Sequence, residues 1–437
     1  MRINRHIRSR HGRPATAVGV ALAALAAASG TAYAATSHNE QVVLHNTSDA
    51  QADAKSAING TAQVSSYDGR FVVFSTTAAL VGRDRNRVDD VYLRDTVDGI
   101  TILVSTRGRT IGNDSSFEPT ISNDGRFVAF TTMATNLFPD SNDGTLDVAV
   151  KDLHTGRLQV ASVDSAGRQR HRNSFFPVLA GNGKRVAFQT FGAFGSRDGD
   201  KREDVYLHAL GRGWTRQMSL GSSGQDVAPS VLVGDVSDDG TLVTFGDAND
   251  LWVRDTSSGR TTRFWHEPDG PPCQPFPTGS AGRPAISGNG AYVAFATCAT
   301  EIPGIPGSDG QATQVYRMRL ATGDLTLVSS PGAGVPAAGF SFLPSLSRSG
   351  RYVGFGSEAT DLAPADTADP DAFVADLGTG TVTRASEASD GTGSNNWSAS
   401  TGVAISGDGQ SLVYESYATN LVAGDAYDWE EVFVWRR

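Results

Sequence analysis

The chain has 437 residues, 37 of them basic and 47 acidic, for a formal net charge of −10. Such a balance argues against nucleic acid as a partner, because neutralised phosphates supply most of that affinity. It is equally ill-suited to an anionic membrane surface.

The chain opens on Arg2, Arg5, Arg8, Arg10 and Arg13, followed by an apolar stretch over residues 18–28 and then Ala32-Tyr33-Ala34. A basic start, a short apolar run and a small-x-small site make a signal peptide, read here as residues 1–34. The run is too short and alanine-rich for a firm membrane span, and no Arg-Arg pair points to twin-arginine export. Removal of this leader leaves 32 basic residues against 47 acidic ones. The expected mature protein is exported to a secreted or extracytoplasmic location, soluble and monomeric, with one domain over residues 35–437.

Length alone suggests two or three domains, but a repeated phrase overrides that expectation. Ser-x-Asp-Gly-x-aromatic-Val-x-Phe recurs around Gly69, Gly125, Gly183, Gly240, Gly290, Gly350 and Gly409. The residue five places on is always aromatic: Phe74, Phe130, Phe188, Phe245, Phe295, Phe355 or Tyr414. It shares parity with Val72, Val128 and their counterparts, so both face one side of a strand. Asp-Gly or Asn-Gly between two apolar runs is a hairpin turn. The preceding serine, replaced only by Ala180 in the third copy, has a hydroxyl able to bond the turn backbone.

Each phrase is preceded by a short run such as Pro119-Thr120-Ile121-Ser122. It is followed by one such as Asp90-Val91-Tyr92-Leu93 or Asp147-Val148-Ala149-Val150. A polar turn and a further run such as Ile102-Leu103-Val104-Ser105 complete the unit. Four short antiparallel strands make one propeller blade. The last copy stops at its third strand, while Gln41-Val42-Val43-Leu44 stands before the first copy without a repeat of its own. The reading is an all-β, seven-bladed β-propeller whose N-terminal strand completes the last blade and leaves no open edge.

Candidate sites lie between the phrases. Asp140-Ser141-Asn142-Asp143-Gly144-Thr145-Leu146-Asp147 sets alternating oxygen donors around a glycine, the ligand pattern of a calcium loop. It lacks the glutamate that ends a helix-flanked calcium loop, and Asx turns explain the same composition. Asp140, Asn142, Asp143 and Asp147 are the ligands expected if Ca2+ binds. Arg168, Arg170 and Arg172 precede Phe175 and Phe176, a cationic and aromatic composition suited to recognition. Trp397, after Asn395 and Asn396, is a second such point. Cys273 and Cys298 both belong to the fifth copy, and export favours a disulfide between them. Glu118, at the mouth of an inner strand, reads as a rim residue because no second carboxylate is found to work with it.

No Gly-x-Ser-x-Gly elbow, phosphate loop, dinucleotide fingerprint or zinc-binding helix occurs. The six histidines after the leader, at 38, 45, 154, 171, 208 and 266, have no metal spacing. Ser122 to Phe130, then Ala134-Thr135-Asn136-Leu137 and Asp147 to Asp152, resemble TolB-type repeats of the WD-repeat-like class. Residues 418–425 repeat the middle of that pattern. The resemblance spans the mature chain and implies a propeller that serves as a protein-interaction platform, in some members fused to a peptidase domain. The expected function is a non-catalytic scaffold binding a protein, peptide or cell-envelope glycan at a rim face or channel mouth. The alternative is a lyase or hydrolase with its site in the central channel.

Overall fold

The computed structural model describes residues 38–42, 55–58, 63–139, 144–194, 202–247, 249–267, 283–298, 302, 312–332, 334–364, 368–425 and 428–437. Every helix or strand element among them is a β-strand. Seven four-stranded antiparallel sheets form a ring, a seven-bladed β-propeller. Blade 2 is representative, running from an inner Ser116–Ile121 through Phe127–Thr132 and Asp147–Asp152 to an outer Leu158–Val160.

The ring closes as the sequence implies, but three residues earlier. His38–Gln41 pairs with Glu431–Arg436 and completes blade 7 from outside. The expected strand began at Gln41, the most apolar segment. An outermost strand is paired on one side only, so polar residues serve there. Asn39 shows how: its Nδ2 donates to the carbonyls of Ala385 and Glu387 at 2.9 and 2.7 Å, and its Oδ1 accepts from the Tyr414 hydroxyl at 2.8 Å.

The repeat phrase is structural in every particular. In blade 2 the Ser122 hydroxyl donates to Asp124 at 2.6 Å and accepts from the Phe127 amide at 2.9 Å. Gly125 sits at φ 70°, which glycine reaches without a Cβ clash. The glycine also receives the neighbouring blade. A Cβ on Gly125 would lie 2.5 Å from the Phe71 ring, and one on Gly183 2.4 Å from Phe127. The residue two places after each glycine packs on the next blade's glycine, round to Ser411 against Gly69.

Inside six blades an aromatic of the second strand pairs with one of the third, stacked in five, as in Phe74–Tyr92, Phe245–Trp252 and Phe355–Phe373, and tilted in Phe295–Tyr316. Burial of each ring contributes roughly 1.5–3 kcal/mol, with about 0.5–1.5 kcal/mol more from stacking. In blade 2 Ala149 takes the third-strand position opposite Phe130.

A cycle of backbone hydrogen bonds joins the blades at the glycine-turn end, here the turn face. Tyr67 donates to Asn123, Asn123 to Gly181, Asn182 to Asp238 and Asp238 to Gly288. Asn289 donates to Arg348, Arg348 to Gly407 and Asp408 back to Tyr67, all at 2.8–3.0 Å. The opposite end, the loop face, carries the connections from second to third strands and from each blade to the next.

Candidate functional site: the central channel

The inner strands line the axis. At the turn-face end, the residue after each phrase serine projects toward it: Tyr67, Asn123, Gly181, Asp238, Gly288, Arg348 and Gly407. Large side chains fit because glycines alternate with them; a Cβ on Gly288 would lie 2.6 Å from the Asp238 carboxylate. Arg348 of blade 6 reaches Asp238 of blade 4 at 3.2 Å and approaches the Tyr67 ring of blade 1. Gln63 donates to Asn123 Oδ1 between blades 1 and 2. Gln63, Asn123, Asp238 and Arg348 bound a cavity of about 40 Å³ at this end that also touches Asp235, Ile286, Ser345 and Ile405.

Asp235 departs from its sibling blades. In blades 2 and 6 the equivalent inner-strand position holds a hydroxyl, Thr120 or Ser345. Each accepts the amide of the next blade, from Leu179 at 3.5 Å and from Ile405 at 3.0 Å. In blade 4 a carboxylate does this: Asp235 accepts from Ile286 at 3.1 Å and from its neighbour Val236 at 2.7 Å. Enclosure pushes its pKa up to about 7; the two amides oppose the shift and Asp238 adds to it. A carboxyl titrating near neutrality suits proton transfer.

Toward the loop face, a second constellation comes from one repeated dipeptide. The inner strands of blades 2, 3, 5 and 6 carry Glu118-Pro119, Phe176-Pro177, Arg283-Pro284 and Leu343-Pro344. Glu118, Phe176 and Leu343 have φ of 54°, 49° and 46°, a backbone state that costs on the order of 1–3 kcal/mol in a non-glycine residue. In blades 2, 3 and 6 the inner strand shifts register at this point. Glu118 Oε2 accepts from the Phe176 amide at 2.8 Å and the Thr131 hydroxyl at 2.6 Å. Arg283 reaches past blade 4 to lay its guanidinium 3.9 Å above the centre of the Phe176 ring. Burial raises the Glu118 pKa, against the pull of its hydrogen bonds and Arg283. Burial lowers that of Arg283 to about 10, with Glu118 and Glu203 opposing. Phe175 and Phe191 extend the aromatic surface, with ring centres 5.4 Å from Phe176 to Phe175 and 5.9 Å from Phe175 to Phe191.

The residues expected from sequence divide among these places. Phe175 belongs to the aromatic group just described. Arg168 and Arg170 are held by one buried carboxylate, Asp164, each at 2.9 Å, while Arg172 is exposed beside them. Trp397 is exposed on the loop face of blade 7, its Nε1 donating to Asp369 at 3.1 Å. It does not join the blade 3 residues. Asp147 accepts from Ser162 at 2.9 Å and Gln169 at 2.7 Å. The first of these bonds is a repeat brace, seen also in Asp90–Ser105 and Asp371–Ser386. Asp140, Asn142, Asp143 and Cys273 lie outside the described residues. Cys298 follows the strand Tyr292–Thr297, its sulfur 3.8 Å from Glu267. No group of three or more metal-binding side chains occurs among the described residues, and no helix among them is long and apolar enough to cross a membrane.

Sequence reasoning missed Asp235, Asp238, Arg283 and Arg348. Asp235 was visible only as a carboxylate at a position where the sibling strands hold Thr120, Ser345 or the apolar Val64, Val178, Ala285 and Ala404. The X-Pro dipeptides were visible too, but not that three of them converge.

The fold and channel define the protein's structural class, a β-propeller. No known family matches the sequence, and no curated protein does. Solved structures match over most of the chain. An oligogalacturonate lyase from Vibrio parahaemolyticus has a TM-score of 0.54 at 12% identity, covering 92% of this chain and 97% of that one. The β-propeller domain of the Trilobed protease from Pyrococcus furiosus, which has an open velcro topology, has a TM-score of 0.52 at 10% identity, covering 87% and 95%. A putative TolB from Agrobacterium tumefaciens has a TM-score of 0.41 at 17% identity, covering 77% and 94%. At these identities the first two establish the propeller fold and nothing about activity.

Proposed function

We propose that this chain is an exported, non-catalytic binding scaffold that recognises a protein, peptide or cell-envelope glycan on its loop face, at the mouth of the channel. One observation carries this reading. Side chains from blades 1, 2, 4 and 6 bridge the turn-face end, whereas the loop-face side gathers Glu118, Phe175, Phe176, Arg283 and the arginine loop of blade 3. Loops on a rigid closed scaffold are where recognition sites are usually built. The TolB-type repeats are consistent with this reading, while a lyase and a protease domain among the similar structures warn that the fold hosts several activities.

The test is capture from an envelope fraction of the source cell. Arg170→Glu with Arg172→Glu, and separately Trp397→Ala, should weaken capture of the partner. Arg260→Glu, on the turn face, should not. Equal capture by all variants contradicts the reading.

The enzyme reading has one observation in its favour, the near-neutral Asp235 in the axial cavity beside Asp238 and Arg348. Turnover of a peptide, lactone or glycan by the purified protein, lost in Asp235→Asn, would establish it in place of the scaffold.

A further inference from the structure

Arg283 differs from the other enclosed arginines of this chain. Arg94 donates to the Gly99 carbonyl at 2.7 Å and to Thr101 at 3.1 Å. Arg254 donates to the Leu220 carbonyl and Thr261 at 2.8 and 2.6 Å. Arg317 donates to the Gly350 carbonyl at 2.8 Å. Each is tied into the backbone of a turn or connection. Arg283 makes no hydrogen bond or ion pair among the described residues, and its guanidinium lies over the face of Phe176. Glu118 and Glu203 act on it only at longer range. Arg283 is half-buried, and stacking on an aromatic face holds its guanidinium while leaving its hydrogen-bond donors open to a ligand.

The surroundings specify what would complete it. A guanidinium fork matches a planar oxyanion with two parallel hydrogen bonds. Stacking on Phe176 fixes the plane of the fork before any ligand arrives. Glu118 uses Oε2 for both of its bonds, leaving Oε1 without a partner among the described residues. It is therefore available to an N–H or O–H close to the oxyanion. Phe175, Phe176 and Phe191 supply an apolar wall. The chain's acidic balance disfavours a polyanion. A single carboxylate with an amide on one side and an apolar group on the other fits all of these features, and that is the chemistry of a peptide C-terminus with a hydrophobic last residue.

We propose that Arg283, stacked on Phe176 and flanked by Glu118, forms a carboxylate subsite that captures the C-terminus of a peptide ending in an apolar residue. This rests on the loop-face binding reading and names the ligand class for it. Arg283 takes the two carboxylate oxygens, Glu118 Oε1 accepts the last peptide N–H, and the phenylalanines receive the last side chain.

N-acetyl-leucine and N-acetyl-leucinamide differ only in that carboxylate and serve as probes. Calorimetric titration of the full-length protein should show the acid binding at least 10-fold more tightly than the amide. Arg283→Gln should abolish that preference, and Arg283→Lys, with a charge but no planar fork, should retain only part of it. Inorganic phosphate, the competing oxyanion, should displace the acid weakly. Equal binding of acid and amide by the unmodified protein overturns the proposal without requiring any variant to fold. So does an acid preference that survives Arg283→Gln, or tighter binding of phosphate than of the acid. Any of these results leaves the loop-face scaffold standing, because capture by the Arg170/Arg172 and Trp397 variants tests that reading separately.

Discussion

Asp235→Thr places in blade 4 the hydroxyl that blade 2 has at the same position, Thr120. Folded Asp235 holds its proton to about pH 7, whereas in the unfolded chain it releases it near its ordinary 3.8. Between those values the folded state binds more protons, so this group's contribution to stability falls as pH rises. At about 1.36 kcal/mol per pH unit, the interval corresponds to roughly 4 kcal/mol lost between pH 4 and pH 8. Threonine does not titrate. It keeps the acceptor for the Ile286 amide and gives up the bond from Val236, a constant cost of about 1 kcal/mol. The variant should therefore match or fall slightly below the parent near pH 4 and exceed it by about 3 kcal/mol at pH 8. Urea unfolding of both proteins at several pH values gives the difference, in which unrelated groups cancel. Asp238 and Arg348 face the same cavity and are unchanged in both proteins. A difference independent of pH would refute the reasoning, because Asp235 would then titrate like an ordinary surface aspartate.

Glu415 is enclosed where blade 7 meets blade 1, accepting from the Ile58 amide beside Glu430, and burial followed by Glu430 raises its pKa well above the ordinary value. By the same sign argument Glu415→Gln should stabilise the protein at pH 8 and lose that advantage below pH 4.5, as measured by denaturant midpoints. Phe355 is fully buried and stacked on Phe373, so Phe355→Ala should cost about 3–5 kcal/mol in the same experiment. If Cys273 and Cys298 form a disulfide, a non-reducing peptide map will recover their peptides joined. If Ca2+ binds the Asp140–Asp147 loop, a chelator will lower the thermal midpoint; an unchanged midpoint removes the metal.

The fold was legible because a propeller repeats its constraints. A turn at positive φ, an aromatic five residues on and a serine three residues before recur together, since each blade meets the same neighbours. The closing strand was legible by elimination but begins three residues before the apolar segment at residues 41–44, because a one-sided edge uses polar residues such as Asn39. The channel was much less legible. Asp235 and Arg283 gain their character from residues some 50 to 110 positions away, Ile286 and Phe176, and no local pattern encodes those encounters. Glu118 reads from sequence as a rim residue because no second carboxylate accompanies it. What it interacts with is Arg283, an arginine from three blades on, and no local sequence pattern shows that encounter.

The most direct measurement is a crystal structure of the protein soaked with N-acetyl-leucine. The account predicts its carboxylate within hydrogen-bond distance of both terminal nitrogens of Arg283, its leucine side chain against Phe175 and Phe176, and no probe at the turn face. A probe seated beside Asp235, or an Arg283 guanidinium already paired with a protein carboxylate and leaving the probe unbound, would contradict it.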